Sequence, residues 1–127
     1  MTGHVYHAGM DREYPASLSF EISTNLLRHQ LGWQGVIFTD DLDMKALTRQ
    51  YGVEERIRLA VRAGADILIF SGNARGMDFD PDFPRLAHET LLRLVRERKI
   101  PKERLRSSWE RITELKKRHK KQGAAAP

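Results

Sequence analysis

A parallel α/β fold is what this 127-residue sequence predicts, and three observations predict it. Two short apolar runs, Val36–Thr39 and Asp66–Phe70, are continuous rather than alternating, the pattern of strands covered on both faces. Between them, Val53, Ile57, Ala60 and Val61 fall at helical spacing. The step from Val36 to Ile67 is about 31 residues, the length of one βαβ unit of roughly 30.

Taken in order, Met1–Val5 reads as the end of a strand, with His4 at its C-terminal edge. Residues 6–18 mix Gly9 and Pro15 with polar side chains and read as a loop. Ser19 is a good helix cap, Glu21 suits the first turn, and Ile22, Leu26 and Leu27 form an apolar side running to about Leu31. Gly32 supplies a left-handed stop. After the strand Val36–Thr39, a short helix over part of Asp43–Gln50 is broken by Tyr51-Gly52. The next helix starts at Val53, turns Glu54, Glu55, Arg56, Arg58 and Arg62 outward, and ends at Gly64, directly before the second apolar strand.

Residues 71–84 are a Gly-, Asp- and Pro-rich loop. Two helices close the chain. The first carries Ala87, Leu91, Leu94 and Val95 on one face. The second starts at Ile100-Pro101 and carries Leu105, Trp109, Ile112 and Leu115, so Trp109 is expected to pack. The order is strand stub, helix, strand, helix, strand, helix, helix. Three parallel strands leave both sheet edges open, which suits part of a larger assembly better than a complete domain.

Composition narrows the classes of function. Lys116, Lys117, Arg118, Lys120 and Lys121 equal the whole net charge of +5, so the body is formally neutral and the basicity is a tail over 117–127, expected to be disordered. No aromatic residues are interleaved there for base stacking, so a solvated helix end explains the charge and no nucleic-acid partner is expected. No run is long and apolar enough to span a membrane, none reads as a signal peptide, and there is no cysteine for disulfide or thiolate chemistry. A cytoplasmic location is the expectation.

The chemistry concentrates where the first apolar strand meets Asp40, Asp41 and Asp43. Side chains alternate along a strand, so Asp40 shares a face with Val36 and Phe38, and Asp41 shares the other with Ile37 and Thr39. One acid should therefore point over the strand ends and the other toward a helix or backbone donors. Asp41 and Asp43 serve equally well as helix caps. An acid directly after a buried run, as Asp40 is, costs free energy unless it is hydrogen-bonded or used. His4 has the same strand-end position, and Asn73 and Arg75 could line the same rim. His7, His29, His88 and His119 read as surface residues.

Five segments in order carry a family resemblance: Met1-Thr2-Gly3-His4-Val5, Pro15-Ala16-Ser17-Leu18-Ser19, Leu27-Arg28 with Leu31-Gly32, Gly35 through Met44, and Ala63-Gly64-Ala65-Asp66. Together they resemble the C-terminal part of the catalytic barrel of glycoside hydrolase family 3, in its bacterial β-N-acetylhexosaminidase type, over residues 1–116. The resemblance implies about three βα units of a (β/α)8 TIM barrel. It implies Asp40 as the nucleophile of a retaining mechanism, with His4, Asp41 and Met44 lining the sugar pocket. The substrate implied is a terminal β-linked N-acetylhexosamine, as in peptidoglycan or chitin fragments, with no metal or organic cofactor. The family's acid/base residue and its first strands lie upstream of anything in this sequence. Met1 matches an internal methionine of the family pattern, so a truncated product that needs the missing N-terminal half of the barrel, and is inactive alone, is expected. A different class, a Mg²⁺-dependent phosphatase-like domain using Asp41 and Asp43, is weakened by Lys45, where a Thr or Val is wanted. A third reading is a non-catalytic barrel remnant that folds only with a partner fragment, or not at all.

Overall fold

Two parallel strands, β1 (Phe38–Asp41) and β2 (Ile67–Ile69), form the sheet of the computed structural model, which describes residues 1–71 and 81–123. A π-wound helix (Glu21–Gln30) precedes β1. Helices α1 (Lys45–Thr48) and α2 (Val53–Ala63) join the strands, and α3 (Phe83–Arg96) and α4 (Lys102–Gly123) follow β2. The expected first strand is present as a single parallel bridge. The Thr2 N–H donates to the Phe38 carbonyl at 2.9 Å, and the Asp40 N–H donates to the Thr2 carbonyl at 2.8 Å.

Local chemistry accounts for the helix limits. The Ser19 hydroxyl accepts the Ile22 N–H at 3.1 Å, which caps the π-wound helix, and Gly32 leaves it at φ +71°. Gly64 ends α2 at φ +115°, where a Cβ would also meet Thr24 Oγ1 at 2.6 Å. Only glycine satisfies both demands.

Helices cover one face of the sheet. One apolar cluster joins Leu18, Ile37, Leu42, Leu47, Leu59 and Ala60, and a second joins Ile57, Val61, Leu94 and Ile100. Leu68 and Phe70 pack against both. Each fully buried Leu or Ile contributes about 1.5–3 kcal/mol. Phe38, Ile67 and Ile69 alternate to the opposite face, belong to neither cluster and are half-exposed.

Four expectations change. The ladder of β1 is shifted toward the acids, because Phe38 pairs with Ile67 while Asp41 pairs with Ile69. Arg56 does not turn outward. It is buried, donating through Nη1 to the Leu42 carbonyl and to Asp43 Oδ1, the latter at 2.9 Å. An enclosed carboxylate needs a counter-charge, and that need overrides the amphipathic pattern. Trp109 does not pack but is 66% exposed. The inward side of α4 carries Arg104, Ser108 and Arg111 because all three bind Asp66, which rotates the Trp109 position away. Finally, residues 117–123 are helical in α4 rather than a disordered tail.

At the base of β2 sits a charge cluster that apolar periodicity could not reveal. The Asp66 side chain is 0% exposed and pairs with Arg28 at 2.6 Å, Arg111 at 3.0 Å and Arg104 at 3.3 Å. It also accepts the Ser108 hydroxyl at 2.7 Å and the Ile37 N–H at 3.0 Å. The π-wound helix, β1, β2 and α4 thus meet on one carboxylate.

Candidate active site

The carboxylates at the end of β1 are sorted by an irregularity in the ladder. Between the Phe38–Ile67 and Asp41–Ile69 pairs, β1 carries one residue more than β2. Bulges of this kind re-aim side chains at the ends of strands. The rung lost there is replaced by a side chain: the Ile69 N–H donates to Thr39 Oγ1 at 3.0 Å, and Thr39 is 0% exposed. Alternation holds up to this point, with Ile37 and Thr39 buried and Phe38 and Asp40 half-buried.

Asp41 is committed to holding the rim together. Its Oδ1 accepts the N–H groups of Asp43 and Ser71, each at 3.0 Å, and its Oδ2 accepts the Ser71 hydroxyl at 2.5 Å. Burial alone would raise its pKa. The Ser71 hydroxyl and the two backbone donors outweigh burial and hold the carboxyl below its ordinary value of 3.8. A Ser71→Ala substitution should return the Asp41 pKa toward 3.8, read from its side-chain carboxyl resonance in an NMR pH titration. An unchanged titration would mean that Ser71 does not set it.

His4 is locked into the same rim. Nε2 lies 2.7 Å from the Asp41 carbonyl, which can only accept, so Nε2 carries the proton. In the neutral ring Nδ1 then accepts from the buried Ser17 hydroxyl, 2.7 Å away. Both nitrogens are occupied, so His4 offers a ligand only its ring face and C–H edge.

Asp43 is 4% exposed and ion-paired with Arg56, so it does not act as a helix cap. The guanidinium against it also makes it a poor ligand for Mg²⁺, which removes the main support for the phosphatase reading. Met44 opens α1 and is 41% exposed at the rim. Asn73 and Arg75 lie outside the described residues. Asp40 remains. Among the described residues its carboxylate accepts one local hydrogen bond, from the Asp41 N–H at 2.8 Å. It is half-buried and belongs to neither helix-packed cluster, and among the described residues most of its lone pairs take no partner.

Residues 1–115 match the family described as the glycosyl hydrolase family 3 N terminal domain. The chain belongs to this family. Among curated relatives, beta-hexosaminidase A of Pseudoalteromonas piscicida is 31% identical over 91% of this chain and 21% of its own length. The beta-hexosaminidase of Thiobacillus denitrificans is 33% identical over 74% of this chain and 27% of its own. Among solved structures, the family 3 beta-N-acetylglucosaminidase of Paenibacillus sp. str. FPU-7 superposes with a TM-score of 0.78 at 33% identity, covering 94% of this chain and 22% of that one. The chain therefore spans roughly a quarter or less of the length of most of these family 3 proteins. Sequence reasoning missed Thr39, Ser71 and Ser17 as parts of the rim. Their only sequence signal is a hydroxyl residue just before the acids, one just after the second strand, and one in the Pro15–Ser19 segment.

Proposed function

We propose that this chain carries the nucleophile side of a retaining β-N-acetylhexosaminidase site, with Asp40 as the nucleophile. The observation that carries the reading is the division of labour at the end of β1. Asp41 is saturated by Ser71 and Asp43 donors, and Asp43 is neutralised by Arg56, while among the described residues Asp40 keeps lone pairs without a partner. The relatives' names supply the substrate class, a terminal β-linked N-acetylhexosamine.

In the proposed reaction an Asp40 oxygen attacks the anomeric carbon as the bond to the aglycone oxygen breaks, and a proton donor outside residues 1–127 protonates that oxygen. Water then attacks the same carbon, releases Asp40 and gives net retention. Asp41 and His4 hold the strand end that aims Asp40, and Met44 offers an apolar edge to the sugar. The half-exposed apolar residues Phe38, Ile67 and Ile69 support placing β1 and β2 in a (β/α)8 barrel, where that face would look inward onto residues from further strands. The isolated chain is then inactive, since a general acid contributes ~10²–10⁴-fold and the remaining barrel walls position the sugar.

A chimera that replaces the matching segment of a family 3 relative with residues 1–115 tests this reading. Treated with a 5-fluoro N-acetylglucosaminyl fluoride, it should carry the sugar on the peptide containing Asp40. A label confined to Asp41 or Asp43 would refute the assignment, and turnover by the isolated chain would refute the claim that it is incomplete.

A further inference from the structure

The charge cluster at Asp66 opens on its outer side into a cavity of about 160 Å³. That is room for several waters, or for one tetrahedral ion with part of its hydration. Its lining includes Arg28, His29, Arg62, Arg104 and Arg111 and contains no carboxylate. Behind it a single acid, Asp66, faces three of these guanidinium groups.

Counting donors separates framework from opening. Arg104 spends all five N–H groups on the Val61 and Ala65 carbonyls, Asp66 and Ser108. Arg28 spends its four terminal N–H groups on the carbonyls of Trp33, Gly35 and Gly64 and on Asp66, leaving Nε over. Arg111 uses Nη1 alone, on Asp66. Arg62 is exposed and, like the His29 ring, makes no hydrogen bond or ion pair among the described residues. Burial first, opposed by Asp66 and reinforced by the neighbouring arginine charge, holds the pKa values of Arg28 and Arg104 below the ordinary value.

We propose that this cavity binds a phosphate-type tetrahedral oxyanion, held by Arg62, Arg111, His29 and the Nε of Arg28. At the cavity four guanidinium groups meet one carboxylate, Arg62 also bordering the neighbouring groove that holds Asp11, Glu13 and Glu21, and planar guanidinium forks suit the oxygens of a dianion. The site is separate from the proposed reaction centre. Asp66 binds the Ile37 N–H just before β1, and at ~3.3 Å per residue Asp40 and Asp41 lie roughly 10 and 13 Å further along the strand. Free phosphate and the monoester of a small molecule share the recognised chemistry.

Calorimetric titration of the 127-residue chain with inorganic phosphate, and separately with glycerol phosphate, tests the site at ionic strength matched with chloride. Phosphate should bind, and Arg62→Gln, at an exposed position with no structural bond, should weaken it by ~10-fold. Arg118→Gln, whose side chain pairs with Glu114 outside the cavity, should leave binding unchanged. Binding of both probes identifies a monoester site, and binding of phosphate alone identifies a site for the free ion. Either result supports the proposal. No heat beyond the chloride control, or equal weakening by Arg62→Gln and Arg118→Gln, overturns it.

Discussion

An Asp66→Asn variant should lose about 3–5 kcal/mol of stability, the cost of removing one partner from a buried ionic network. The substitution is nearly isosteric, so packing is not the cause. An Asn side chain presents one acceptor and one NH₂ group where five groups donate: Arg28, Arg104, Arg111, the Ser108 hydroxyl and the Ile37 N–H. Whichever way the amide is turned, donors face a donor, and three guanidinium groups lose their counter-charge. Against a typical net stability of about 5–15 kcal/mol, that loss removes a large share of the fold. Thermal denaturation followed by circular dichroism should show a fall in Tm of at least ~10 °C. Breaking the exposed Arg118–Glu114 pair should cost no more than about 0.5 kcal/mol. Equal effects from the two changes would mean that the cluster is not structural.

The same carboxylate gives the acid limb its direction. Burial pushes the Asp66 pKa up, but the Ser108 and Ile37 hydrogen bonds and the Arg28 and Arg104 charges push it further down, below 3.8. A depressed folded-state pKa contributes stability above the unfolded value, and this contribution is lost as pH falls through the folded value. The loss from Asp66 and Asp41 therefore belongs below pH 3.8.

In a chimera with a complete family 3 domain, Asp40→Asn should lower turnover on the order of 10⁴–10⁶-fold, as loss of a nucleophile does. Its thermal stability should change little, since among the described residues the carboxylate makes only a local bond to the Asp41 N–H. Asp41→Asn should behave differently. It disturbs three hydrogen bonds joining the end of β1 to Ser71 and Asp43, so Tm should fall together with activity. Steady-state kinetics and melting of both variants separate the roles. Retention of more than about 1% activity by Asp40→Asn would contradict the nucleophile assignment.

Much of the scaffold was legible because glycine and periodicity are local signals. Gly32 and Gly64 end their helices at positive φ, and α2, α3 and β2 fall where the apolar residues place them. The shift of β1 was not legible, since a bulge is fixed by the partner strand and by Thr39 replacing a rung. Nor was the π-winding of Glu21–Gln30. Arg56 was read as charged and hence outward, but its burial depends on Asp43, and that of Arg28 on Asp66, acids that come close only in the fold. At the site, alternation separated Asp40 from Asp41 but could not say which acid was free. Ser71, thirty positions after Asp41, answers that question.

The Asp66 cluster also bears on the time course of folding. Its partners Arg28 and Arg111 stand 38 and 45 positions away along the chain, on opposite sides. Both loops must close before the carboxylate meets its counter-charges, and loop closure has to precede the contacts that reward it. The cluster is therefore expected to form late in folding. Substitutions there are then expected to act mainly by accelerating unfolding rather than by slowing folding, which the two limbs of a denaturant chevron would show.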